Sequence, residues 1–396
     1  MSRRTFALII IFMLTPLGPL AIDIFLPSVP EMLSVFEATN QQMRLTIPLY
    51  IFALGFAQLV GGPISDRFGR RASAMIGLTL YALGSLGAAF APSLDWLYGA
   101  RLVQGFGASF TMVTTFAWVR DNFEGDEAGK WLSYMSGLTG SVPMIAPMIG
   151  GILGVIWGWQ AAFFLMAAAG ILLLALISLA LPPTKKRNRT LGAPDQITCN
   201  LGNMARNRTF ILYSLANAAT FGAVMTYVSI APEVAMEQSG MSEMQFATIL
   251  GAIGLLQMLF SFLAPRLVGI IGSAKTVLAG LSLSVTGGLG LLVVPHGATM
   301  TFFAFAALGS AGFSLMIGIS TGLTLQPFPH CAGLATSIGG FLRMFGSATI
   351  ATLTSLTAFQ GPDILATALL TSLIPLTFLL FDKRIETMVE EEDLAL

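Results

Sequence analysis

Apolar residues run through this chain in blocks long enough to cross a bilayer, which takes roughly 20 residues of helix. The blocks fall at 6–27, 45–62, 72–91, 96–119, 131–155, 160–181, 209–231, 245–264, 275–294, 299–322, 333–359 and 363–381. These twelve blocks predict twelve membrane-spanning helices. One polar interval is long. It covers 182–208, opens on the helix stop Pro182-Pro183, and carries Lys185, Lys186, Arg187, Arg189, Arg206 and Arg208. The pattern predicts an all-α membrane protein with a six-helix half at 1–181, a linker, a second six-helix half at 209–382 and a tail at 383–396.

Charge fixes an expected orientation. With the N-terminus on the cytoplasmic side, Arg3, Arg4, Arg67, Arg70, Arg71, Arg120, Lys130, the six linker cations, Arg266, Lys275, Lys383 and Arg384 are all cytoplasmic, which is 17 of the 20 Lys and Arg. Such asymmetry is what orients membrane proteins. Both termini are therefore expected inside. Composition agrees with lipid as the main solvent: 10% of residues are charged and 55% hydrophobic. A soluble domain carries about 25% charge. The zero net charge gives no reason to expect a nucleic-acid partner. Cys199, Cys331, His296 and His330 are scattered, so no metal site is expected.

Four short patterns stand out. Between spans two and three lies Gly62-Pro63-Ile64-Ser65-Asp66-Arg67-Phe68-Gly69-Arg70-Arg71. Its glycines suit a tight turn, and its cations alone would read as a generic basic loop that anchors topology. Span four holds Arg101, Gln104 and Gly105 in an R-x-x-Q-G spacing. A buried guanidinium needs partners, whereas one near a helix end can snorkel to the interface. Span five carries Gly137, Gly140, Pro143, Pro147, Gly150 and Gly151. These kink a helix and let a neighbour approach, which also describes ordinary small-residue packing. Finally, Asp23 interrupts the apolar run Pro19–Pro27.

Together these patterns resemble the major facilitator superfamily, and within it the drug:proton antiporters. Asp23-x-x-Leu26-Pro27, Val119-Arg120-Asp121 and Ala332-Gly333-Leu334-Ala335-Thr336-Ser337 resemble the bicyclomycin/chloramphenicol-resistance branch. The resemblance implies two pseudo-symmetric six-helix halves around a central cavity. It also implies that Gly62, Asp66, Arg67, Gly69, Arg70 and Arg71 form a cytoplasmic gate, with Asp66 facing the N-terminus of span eleven and Arg70 paired with Asp121. The glycines and prolines of span five resemble the antiporter signature.

Within the spans, Asp23 is the clear acid, and Arg101 and Arg343 are the bases. Asp23 is expected near the outer end of span one, at the depth of Arg101 on span four. The expected roles are a proton carrier and its electrostatic partner; a static bridge or a wet interfacial aspartate is the plainer alternative. Arg343 suits an anionic or carbonyl group, or a structural role on backbone carbonyls. Tyr50, Gln58, Gln104, Tyr134, Asn217, Tyr227 and Gln257 complete the cavity candidates. The expected function is proton-coupled efflux of small hydrophobic compounds across a bacterial inner membrane. The alternatives are a dedicated metabolite exporter or a proton-linked importer. A membrane enzyme or receptor lacks a nucleotide loop or nucleophile constellation to support it. Neither cofactor nor ATP use is expected. The expected partners are a small-molecule substrate, protons and lipid, for a monomer.

Overall fold

The computed structural model describes residues 3–123, 125–180, 201–293, 295, 297–328, 332–357, 359 and 361–381. Among them there is no strand. The long helices are α1 (Ala7–Val35, in several segments), α2 (Thr46–Phe68), α3 (Arg70–Ala89), α4 (Leu94–Asn122), α5 (Gly125–Trp157) and α6 (Gln160–Ala180). They continue as α7 (Arg208–Pro232), α8 (Glu243–Ile271), α9 (Ser273–Leu291), α10 (Thr299–Leu325), α11 (Ala332–Ser355) and α12 (Pro362–Leu380). Eleven of these are both long and apolar enough to span a membrane. The twelfth, α11, has 24 residues and carries Arg343 at its centre. At 1.5 Å per residue it measures about 36 Å, enough to cross.

The chain clusters into two compact units, Met1–Arg189 with Met241–Gly254, and Thr190–Gly240 with Leu255–Leu396. The linker read at 182–208 contains a short helix, Leu201–Arg206. Residues 181–200, with Cys199, lie outside the described set, as do His296, His330, Cys331 and everything from 382, including the tail.

Glycine sets the tightest packing in each unit. In the first unit α4 crosses α3, where an added Cβ at Gly77 would meet the Gly107 carbonyl at 2.9 Å. In the second, α10 crosses α9, where a Cβ at Gly280 would meet the Gly312 carbonyl at 2.7 Å. Without a dominant hydrophobic drive between helices in lipid, such backbone approach supplies the contact. The repeated seam, α3 with α4 and α9 with α10, matches the two related halves expected from the resemblance.

The first span differs from its expected bounds. The first apolar block ends at residue 27, yet the span runs on to Val35. A 3-10 turn, Leu26–Ser28, joins the helical segment ending at Asp23 to the next one, Val29–Val35. Pro27 and Pro30 each sit in the first turn of their segment, where the missing N–H has no partner to lose. Asp23 is the seventeenth residue of this 29-residue stretch, and its turn is met by Arg101, the eighth residue of α4.

Candidate functional site

The break in α1 gathers the first unit's polar chemistry. Ala21 sits in the last turn of Leu17–Asp23, where carbonyls lack a donor four residues on. Arg101 Nη1 donates to the Ala21 carbonyl at 2.8 Å and to Gln104 Oε1 at 2.5 Å. Its guanidinium carbon lies 4.4 Å from the Tyr50 ring centroid and 4.9 Å from that of Phe25. Arg101 is fully buried, and its Nε and Nη2 have no hydrogen-bond acceptor among the described residues. Two aromatic faces satisfy the cation where oxygens do not. Snorkelling is therefore not how this arginine is accommodated. Two further hydroxyls brace α1: Tyr50 donates to the Gly18 carbonyl at 2.8 Å, and Tyr81 to Leu17 at 3.0 Å.

Asp23 is 7% exposed. Among the described residues its carboxyl has no hydrogen bond, and it forms no ion pair with Arg101. The static bridge that was the plainer alternative is not formed; Arg101 instead contacts the α1 backbone two residues earlier. A buried carboxyl without a donor is an expensive arrangement, one that points to function rather than folding.

Span five holds this break in place, and only part of its motif touches it. Gly150 lies against the Ile24 carbonyl, the residue after Asp23. A Cβ at Gly151 would meet Ala247 at 3.3 Å, while Gly137 and Gly140 have nothing within 4 Å of theirs. Pro143 and Pro147 lie inside α5.

The loop between α2 and α3 is built around Gly69, whose φ of 90° favours glycine. Arg70 pairs with Asp121 through Nε–Oδ2 at 2.7 Å and donates to Ser65 Oγ at 2.9 Å. Arg71 Nη2 donates to the Ser178 carbonyl at 2.5 Å, closing the last turns of α6. Arg67 is exposed beside Phe68, and Gly62 is partly buried. The side chain of Asp66 lies outside the described residues, and so does its expected contact with span eleven. The Arg70 and Asp121 side chains are 13% and 31% exposed, which places the pair among partly solvated bridges. A double-mutant cycle of Arg70→Gln and Asp121→Asn, read by thermal melting in detergent, should give a coupling of at most about 1 kcal/mol. A coupling several times larger would show that the pair sustains the fold itself.

The remaining cavity candidates separate. Tyr50 and Gln104 are fully buried within the Arg101 cluster, where Gln104 Nε2 also donates to Ser85 Oγ at 2.8 Å. They face packed protein: the Tyr50 hydroxyl goes to the Gly18 carbonyl, and the Gln104 amide is shared between Arg101 and Ser85. Gln58 is buried and contacts Met112 Sδ at 4.0 Å. Tyr134 is 62% exposed on α5, its ring 5.7 Å from Trp131. In the second unit Asn217 of α7 is bonded to Ser320 of α10 at 2.5 Å. Tyr227 packs against Phe302 and Phe303, and Gln257 on α8 is partly buried. Arg343 sits over the Phe221 ring at 5.9 Å. Phe25 and Phe221, the aromatic partners of the two intramembrane arginines, were not among the sequence candidates. Nothing in the pattern singles them out from 29 phenylalanines.

Comparison with known proteins agrees with this architecture. Residues 8–351 match the Major Facilitator Superfamily. The chain is 30% identical over 340 residues to the multidrug resistance protein MdtL of Shigella flexneri, covering 86% of each chain. It is 32% identical over 341 residues to the uncharacterized MFS-type transporter YdgK of Bacillus subtilis (strain 168), covering 84% of each. Among solved structures, a D-xylose-proton symporter shares the fold with a TM-score of 0.79, at 15% identity, over 96% of this chain and 97% of that one. The Escherichia coli xylose transporter XylE, partially occluded and inward open, does so with a TM-score of 0.75 at 15% identity and the same coverage. A multi-pass helical membrane protein matched over most of its length, the chain belongs to the Major Facilitator Superfamily of transporters.

Proposed function

We propose that this transporter exports small, largely hydrophobic compounds across the bacterial inner membrane in exchange for protons. The observation that carries the reading is Asp23: a carboxyl 7% exposed within the first membrane span, with no donor among the described residues. Such a group accepts a proton when it is enclosed and releases it when water reaches it. Arg101 lies beside it but is held by carbonyl, amide and aromatic partners. Those partners leave the carboxylate without a permanent ion pair. The multidrug-resistance name of a relative 30% identical favours drug-like compounds as cargo.

In this reading both termini are cytoplasmic, the protein acts as a monomer, and the cycle is alternating access of the kind its fold supports. Gly62 to Arg71, with Asp121, serve as the cytoplasmic gate, and the span-five motif holds α1 against α5. The test is transport into everted membrane vesicles with an acid lumen. Antiport fills the lumen with a fluorescent hydrophobic compound, and collapse of the pH gradient by nigericin releases it. Accumulation that ignores the gradient, or outward movement with the protons, overturns the proposal.

A further inference from the structure

We infer that Arg343 and Phe221 form a subsite for a ring-bearing organic anion, so that the carrier takes compounds pairing an aromatic ring with a carboxylate. This rests on the reading of the protein as a carrier of small apolar compounds and narrows their class.

Arg343 occupies the middle of the 24-residue helix α11. From the centre of a ~30 Å hydrocarbon layer its side chain falls several ångströms short of either headgroup region. Among the described residues no acceptor bonds its guanidinium and no carboxylate pairs with it. The Phe221 ring lies under it, 5.9 Å from the guanidinium carbon to the centroid. A cation at that depth needs a counter-charge, a polar partner or water.

The helix face excludes lipid as the surroundings. The α7–α11 seam runs in parallel register: Gly346 against Ala218, Ile350 against Gly222, and Thr354 Oγ1 bonded to Thr226 Oγ1 at 3.3 Å. Arg343 precedes Gly346 by three residues and continues this stripe. The exposed apolar side of α11 carries Phe345 and Leu353, 40% and 61% exposed. Arg343, two residues from Phe345, projects from the other side of the helix.

Burial is interrupted there. From Ala216 to Pro232 every residue of α7 is buried except Phe221. Phe221, its neighbour Phe313 on α10 at 5.4 Å between centroids, and Arg343 are each partly exposed. One turn before Phe221, Asn217 is buried and bonded to Ser320 of α10, which ties α7 to α10 beside the ring. Two partly exposed aromatic faces with a guanidinium at one end match a flat, apolar anion.

The test measures equilibrium binding of 1-naphthoate and its neutral analogue 1-naphthamide to the full-length protein in phosphatidylcholine nanodiscs. The unchanged protein should prefer naphthoate. Arg343→Gln should weaken naphthoate about 10- to 100-fold while leaving naphthamide unchanged, the range expected for losing a charge-assisted bond. Arg343→Lys should restore part of the loss. Phe221→Leu should weaken both compounds alike, since it removes the ring contact but not the charge. Absence of a naphthoate preference, or equal losses for both compounds in Arg343→Gln, overturns the inference. So does loss of naphthoate binding when phosphatidylglycerol is added, which assigns the cation to a lipid headgroup. Asp23→Asn separates the two readings. If it abolishes proton-driven transport and naphthoate still binds, both stand. If transport never depended on the gradient, the binding result stands alone.

Discussion

Asp23→Asn should reduce proton-driven transport to the level of protein-free vesicles, a loss of at least an order of magnitude, in a protein that still folds. Asparagine matches aspartate in shape but cannot change charge, so the substitution isolates titration from packing. The carboxyl has no partner among the described residues, so the variant forfeits no hydrogen bond or ion pair. Its thermal stability should equal or exceed that of the unchanged protein, because an unpaired buried carboxylate is itself destabilising. Exchange of labelled substrate across the membrane without a gradient should persist, since that half of the cycle does not require net proton movement. Asp23→Glu should keep some coupling, limited by the longer side chain. Gradient-dependent accumulation by Asp23→Asn at the unchanged rate would remove Asp23 from the coupling scheme.

The location of this residue shows where sequence reading reaches its limit. Apolar block length is an average over many residues, so it located the spans well. Pro27 and Pro30 are single residues, and their effect depends on position within a turn. At a first helical turn they let helix resume directly after the 3-10 turn, so α1 runs eight residues past its apolar block while breaking beside Asp23. The Arg70–Asp121 pair was legible because both charges flank short helix ends of fixed geometry. The surroundings of Arg101 were not. Its acceptor is a backbone carbonyl freed by a helix break, and its remaining contacts are aromatic faces. Neither has a residue type or spacing that announces it. The same holds for Phe221 beneath Arg343, which becomes distinctive only through the burial of its neighbours along α7.

The glycines of span five give a second large effect, confined to one member of the motif. Gly150→Ala should lower stability by at least the ~1–3 kcal/mol typical of overpacking, and should remove transport where the protein still folds. The added Cβ would overlap the Ile24 carbonyl oxygen and lie 2.7 Å from its carbon. These are backbone atoms, so no rotamer change relieves the contact, and α1 and α5 must separate. Because Ile24 follows Asp23, the displacement reaches the carboxyl directly. Gly151→Ala should be milder, since its nearest contact is the Ala247 Cβ at 3.3 Å and a few tenths of an ångström suffice. Gly137→Ala and Gly140→Ala meet nothing within 4 Å and should be neutral or slightly stabilising, as alanine favours helix by up to about 1 kcal/mol. Melting temperatures of the four variants in one detergent, with transport measured alongside, rank them. If Gly150→Ala melts with Gly137→Ala and transports normally, the close approach of α5 to the break in α1 is not what holds Asp23 in position. If it alone fails, the motif acts through a single backbone contact beside the coupling carboxyl, and its other glycines serve the bending of α5.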